Sequence, residues 1–155
     1  MRKSFNRNKS ALLAVLVSSA VCLSVTAGSA KSPPDYDKIL AKGYNELQIN
    51  NKEKAQEIFQ KAVNKYPESG KCKVALGTAL KRLNKIDEAK AHFKAATEVE
   101  PQLAEGWYEY GCILEYDKFY QDAANAFEKY LELKPTASQR KLIEDRIRDL
   151  RGKEQ

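Results

Sequence analysis

One histidine, His92, stands in a chain of 155 residues. A His-rich metal centre is therefore excluded, because such sites draw on several imidazoles. His92 directly precedes Phe93 in a helical pattern and reads as a surface or edge residue, not as a base or ligand. Cysteine is scarce as well, with only Cys22, Cys72 and Cys112. Cys112 has Glu109 and Glu115 near it in sequence and no imidazole, so it lacks the partner of a thiol nucleophile. No phosphate-cradling glycine loop and no nucleophile elbow occurs. Glu105, Glu109 and Glu115 recur every turn or two along one helical pattern with no facing acid. They read as a solvated acidic face and not as a carboxylate pair. With these constellations missing, no catalytic residue, cofactor or metal is expected, and the chain is not expected to be an enzyme.

Acidic residues are absent from the first 30 positions, which begin with Arg2, Lys3, Arg7 and Lys9. From Ser10 to Ala30 no residue is charged, and Ala11 to Val21 is mostly Ala, Leu and Val. The run closes on Thr26-Ala27-Gly28-Ser29-Ala30. A basic start, an apolar centre and a small-residue end form the pattern of a secretory signal. The alternative is a retained membrane anchor, since the run is just long enough to span a bilayer, although its serines weaken a permanent span. A lipid-modified Cys22 is disfavoured by Val21, because such a site wants a small residue there. Under both main readings the repeats described below lie outside the cytoplasm, and any membrane contact is made by the uncleaved N-terminal segment alone.

The leader also skews the charge. The whole chain carries +6, but residues 31–155 hold 23 Lys and Arg against 21 Asp and Glu. The basic balance is a property of the targeting segment and does not argue for nucleic acid. Lys71, Lys73, Lys81, Arg82 and Lys85 make a local basic stretch, yet Glu105, Glu109 and Glu115 would lie beside it. A phosphate backbone needs a coherent positive track, so no nucleic-acid partner is expected.

What the chain does have is a period. Gly43, Gly77 and Gly111 are 34 residues apart, and so are Ala55, Ala89 and Ala123. Phe59, Phe93 and Phe127 keep the same spacing, as do Pro67, Pro101 and Pro135. A repeat of this size predicts stacked supersecondary units and an extended binding surface. After a linker at 31–35 with Pro33 and Pro34, the units occupy 36–69, 70–103 and 104–137. Each divides into two helical patterns. Trp107, Tyr110, Gly111 and Leu114 share one helix face, and Ala123, Phe127 and Tyr130 share another. Asp117-Lys118 and Asn50-Asn51 are read as equivalent turns between the helices. Glycine and alanine suit helices that cross closely, and phenylalanine fills the space between them.

The first unit departs most. Lys42 and Glu46 stand where the second has Leu76 and Leu80, and its apolar face is Ile39, Leu40, Gly43, Tyr44 and Leu47. A terminal unit is commonly atypical. Beyond Pro135, Thr136-Ala137-Ser138-Gln139 reads as a capping box. Leu142, Ile143, Ile147 and Leu150 then stripe a basic helix in 138–155 that caps the stack; a detachable helix for acidic lipid or a partner is the lesser reading. Cys72 and Cys112 are third and ninth in their units. On parallel helices that separates them by roughly 9 Å along the axis. A disulfide needs alpha carbons within about 7 Å, so two free thiols are expected.

The spacing of Trp107, Tyr110, Gly111, Leu114, Ala123, Phe127 and Pro135 resembles the tetratricopeptide repeat, and the other two units resemble divergent members. The resemblance implies an all-α, right-handed superhelix of helix pairs whose concave groove is lined mainly by first helices. Mapped by position, it nominates Asp37, Leu40, Ala41, Tyr44, Leu47 and Gln48 in the first unit. In the second it nominates Lys71, Val74, Ala75, Thr78, Lys81 and Arg82, and in the third Glu105, Tyr108, Glu109, Cys112, Glu115 and Tyr116. Unit charges of +1, +3 and −4 would orient a bound segment, or else mark an ordinary solvated surface. The set Lys, Asn, Asn, Lys, Arg that holds a chaperone carboxylate in one branch of the family falls here on Leu40, Tyr44, Ala75, Glu105 and Glu109. None matches, so that function is not expected. A protein or peptide partner is expected instead, with Tyr44, Lys81, Arg82, Tyr108, Glu109, Cys112 and Tyr116 as its contacts.

Overall fold

The computed structural model describes residues 36–134, 136 and 138–153. The expected leader and linker, and Pro135 with its place in the proline column, lie outside the described residues. Among the described residues there are seven helices and no strand: α1 Tyr36–Gln48, α2 Lys52–Lys65, α3 Gly70–Arg82, α4 Ile86–Val99, α5 Ala104–Tyr116, α6 Tyr120–Leu133 and α7 Arg140–Gly152. Each packs on the next in chain order, and α3 also touches α1 and α5. The result is a stack of three helix pairs closed by α7.

The glycine and phenylalanine columns are two halves of one contact. A methyl group built on Gly43 would lie 2.2 Å from Phe59, one on Gly77 2.7 Å from Phe93, and one on Gly111 3.0 Å from Phe127. None of these glycines has a positive φ, so the requirement is for space and not for backbone freedom. Phe59, Phe93 and Phe127 are all fully buried, and so are Ala55, Ala89 and Ala123. Within each unit the first helix thus lies down on a ring held by the second.

Every helix pair turns in the same way. Asn50, Asn84 and Lys118 have φ of 63°, 61° and 66°, the left-handed region. One residue later, the N–H groups of Asn51, Lys85 and Phe119 donate to Glu46, Leu80 and Leu114 at 2.8, 2.9 and 2.8 Å. This is the Schellman closure of a helix end. It corrects the turn register read from sequence by one residue: Asn50 is equivalent to Lys118, and Asn51 to Phe119. Asparagine tolerates the left-handed region better than most residues, whereas Lys118 adopts it with no such help.

The ends of the stack differ from the interior. In α1 only Leu40, Gly43 and Leu47 of the expected apolar face are buried, while Tyr44 is exposed at its edge. Glu46 is held by Lys54 at 2.8 Å and by the Asn51 amide at 3.1 Å. Those hydrogen bonds, led by the one from Lys54, lower its carboxyl pKa. At the other end, Ile143, Ile147 and Leu150 of α7 are buried, but Leu142 points outward at 65% exposure, so the stripe is narrower than expected. The capping box does not form. The helix begins at Arg140, and Gln139 occupies the N-cap without a side-chain bond, its carbonyl accepting from Ile143 at 3.1 Å. A box needs its glutamine inside the first turn, and here the helix starts too late for that. Two bases of α7 tie it to the stack: Arg146 pairs with Glu115 at 2.6 Å and Arg151 with Glu128 at 2.6 Å. The arrangement is that of a cap and not of a loose basic arm. Cys72 is buried and Cys112 half-buried, and both are free.

Candidate functional site

The first helices build one face of the stack, and that face holds a cleft of about 650 Å3. Its wall combines Tyr44 of α1, Val74 and Thr78 of α3, and Glu105, Tyr108 and Glu109 of α5. The chain then folds back to close the far side with Tyr130, Lys134, Thr136, Ser138 and Gln139. The repeat explains the convergence: first helices stack on first helices, so equivalent positions of successive units line up in space.

The tyrosines are fixed by the core rings behind them. Tyr44 meets Phe59 edge-on at 5.1 Å. Tyr108 lies 5.8 Å from Phe127 and 5.2 Å from Tyr130. Such contacts hold an aromatic side chain at little entropic cost while leaving its outer edge free. Burial, followed by the charge on Glu109, pushes the Tyr44 phenol above its ordinary pKa. Burial, followed by Cys112, does the same for Tyr108. Both phenols stay neutral donors at physiological pH.

The charges in the cleft are largely satisfied from within. Lys81 pairs with Glu109, and its ammonium lies 5.7 Å from the Phe93 ring. Lys134 reaches Glu105 at 3.3 Å, and Arg146 takes Glu115 while its guanidinium covers the Phe127 ring at 4.7 Å. Of these pairs Lys81–Glu109 joins the basic middle unit to the acidic last one, Lys134–Glu105 lies within the last unit, and Arg146–Glu115 ties that unit to α7.

The seven residues nominated from sequence separate accordingly. Tyr44, Tyr108 and Glu109 line the cleft, and Lys81 stands behind Glu109 as its counter-ion. Cys112 is half-buried and does not line it; burial raises the thiol pKa, and Arg146 partly offsets that. Arg82 is exposed and donates to the Leu47 carbonyl at 3.4 Å, and Tyr116 is 70% exposed away from the cleft. The far wall was missed. Tyr130 was visible only as a member of the α6 core stripe, and 136–139 as a helix start. Among the described residues no group of three or more His, Cys, Asp or Glu is placed to hold a metal, and no helix is long and apolar enough to cross a membrane.

Comparison with known proteins agrees with this architecture. Tetratricopeptide repeat family models match residues 39–69 and 74–138. The chain belongs to the tetratricopeptide-repeat family. No curated protein sequence matches it. Among solved structures, the type III secretion chaperone SycD of Yersinia enterocolitica, in complex with a peptide of the translocator YopD, is similar with a TM-score of 0.69 and 13% identity, over 82% of this chain and 100% of that one. The Sgt2 tetratricopeptide domain of Aspergillus fumigatus gives 0.68 and 19%, over 78% and 80%. The first such domain of Spaghetti (RPAP3), bound to an HSP90 peptide, gives 0.66 and 17%, over 74% and 88%. At these identities the likeness is one of fold.

Proposed function

We propose that this protein is a non-catalytic interaction module that binds a segment of a partner protein in the cleft formed by its first helices. The observation that carries the reading is the convergence of Tyr44, Tyr108 and Tyr130 on one cleft of about 650 Å3. Tyrosine offers large, rigid contact area with a polar tip and is enriched where proteins meet. Membership of an interaction-repeat family supports the reading, as do neighbours in fold that hold an HSP90 peptide and a translocator peptide. In this reading the module works outside the cytoplasm, exported or membrane-tethered, because residues 1–30 have the make-up of a secretory signal. If that segment is kept, its uncharged run from Ser10 to Ala30 makes the chain an anchored scaffold or assembly factor for an envelope complex.

The test is a photo-crosslinking amino acid placed at Tyr108 in the cell that makes the protein, with a second at Lys141 on the exposed side of α7 as control. A defined protein adduct from position 108 and none from 141 is the expected result. Adducts from both, or from 141 alone, would place the partner elsewhere. N-terminal sequencing of the purified protein separates the two forms of the reading, since an intact Met1 rules out cleavage.

A further inference from the structure

Behind Tyr44 the cleft continues into a side pocket of about 220 Å3, floored by Leu40, Val74 and Leu103, with Lys71 and Glu105 at its margins. The three floor residues are only 7–8% exposed. Tyr44, Val74 and Glu105 belong to both cleft and pocket, which makes the two continuous.

We propose that the segment bound in the groove is uncharged where it meets the protein and is anchored by one bulky aliphatic or aromatic side chain inserted into the pocket behind Tyr44. The proposal rests on the groove reading above and names the chemistry of its ligand. A pocket with an apolar floor gives water few partners and gives an apolar side chain a place to leave water. The surroundings argue against a charged ligand. Glu109 has Lys81, Glu105 has Lys134, and Glu115 has Arg146. A ligand charge at Glu109 or Glu115 would have to displace a half-buried partner, whereas Lys71 at the pocket margin is exposed and its charge is screened by solvent. The Thr78 hydroxyl donates to the Val74 carbonyl at 2.9 Å, so it greets the ligand as an acceptor. For the main chain of an extended segment, the Tyr44 hydroxyl and the side chains of Ser138 and Gln139 on the far wall supply neutral donors and acceptors, while the Tyr108 hydroxyl is engaged with Cys112.

The experiment selects binders to the full-length chain from displayed libraries of random short peptides, one with a free C-terminus and one with it blocked. The expected pool centres on Leu, Ile, Met, Phe or Trp among uncharged residues, from both libraries. Affinity for a selected peptide should change less than about twofold between low and physiological salt. Tyr44→Ala, which empties the wall, and Val74→Phe, which fills the pocket, should each weaken it about tenfold or more. Leu142→Ala, on the outer face of α7, should leave it unchanged. Thermal unfolding checks each variant, because Tyr44, though 39% exposed, also lies against the buried Phe59 ring. A pool defined by charged residues or by a free carboxylate, and lost on Tyr108→Ala, overturns the apolar anchor while leaving the groove in place. Failure to select any peptide, or peptides indifferent to Tyr44→Ala, Val74→Phe and Tyr108→Ala alike, overturns the groove reading itself.

Discussion

The first and third units share a core and differ on almost every other surface. Gly43 lies on Phe59 as Gly111 lies on Phe127, and both rings are fully buried. Yet Lys42 and Glu46 of the first unit stand where the third has Tyr110 and the buried Leu114. The repeat period therefore belongs to contacts inside a unit. Leu114 packs with its own unit and α7, whereas the equivalent Glu46 is held by Lys54 and Asn51. The cleft is just as unequal: the third unit and the chain after it provide most of its wall, and the first provides Tyr44. Among the described residues, a shared skeleton thus carries one end that presents Lys42 and Glu46 and one that is closed by α7.

The largest expected effect tests whether the shared ring does equal work at both ends. Phe59→Ala and Phe127→Ala each remove a fully buried side chain and should cost about 3–5 kcal/mol. Phe127 also supports Tyr108 and the Arg146 guanidinium, which ties α7 to the stack. Phe59 has only the edge of the exposed Tyr44 as its aromatic partner. Urea denaturation should therefore rank Phe127→Ala as the more damaging, with a reduced slope if α7 detaches. An equal or reversed ranking would mean that the cap is held by its aliphatic residues alone.

The same inequality explains what could be read from the sequence. The Gly, Ala and Phe columns were legible because each answers to a neighbour in its own unit, at fixed spacing. The cap was legible in outline, but Leu142 was assigned to its buried stripe because a stripe of four residues fits a helix in more than one rotation. The turn register slipped because Asp117 looks like a turn former, whereas the geometry puts the left-handed residue at Lys118. Tyr44 and Tyr108 were found by family position. Tyr130 and Gln139 were not, since they reach the cleft from a second helix and a loop, where no period points. Pairing of Lys81 with Glu109 was invisible because 28 residues separate them and only the stacking brings them together.

A second way to sharpen the comparison is to add one methyl group at each glycine. At Gly43 it would sit 2.2 Å from a ring that has nowhere to move, and at Gly111 3.0 Å away. Overpacking costs roughly 1–3 kcal/mol, against about 1 kcal/mol gained in helix propensity. Gly43→Ala should therefore lose about 1–2 kcal/mol. Gly111→Ala should stay within about 0.5 kcal/mol of the parent, and Gly77→Ala should fall between. Three thermal melts decide it, and a uniform loss would show that the units are packed alike.

The turns offer a smaller contrast. Asn50 suits a φ of 63°, whereas Lys118 pays for a φ of 66°. Lys118→Asn should raise stability by roughly 0.5–1 kcal/mol, and Asn50→Lys should lower it by about as much. No change at Lys118 would mean that its aliphatic stem recovers the strain through contacts with its neighbours.

The smallest effect is a response to alkali, and its sign follows from burial. Tyr44 and Tyr108 both titrate above the ordinary phenol value, each chiefly because burial disfavours the phenolate. The unfolded chain gives up these protons near the ordinary value of about 10, before the folded chain does. Folding stability is then flat with pH below that point and falls as pH rises through it toward the higher folded values. Tyr44→Phe tests the first unit and Tyr108→Phe the third, because each removes one titrating group and keeps its ring contact. Each should flatten the alkaline decline measured by denaturant midpoint. If Tyr108→Phe alone did so, the Tyr44 phenol would be solvated in the free protein, and the groove would be more open at its first unit than at its third.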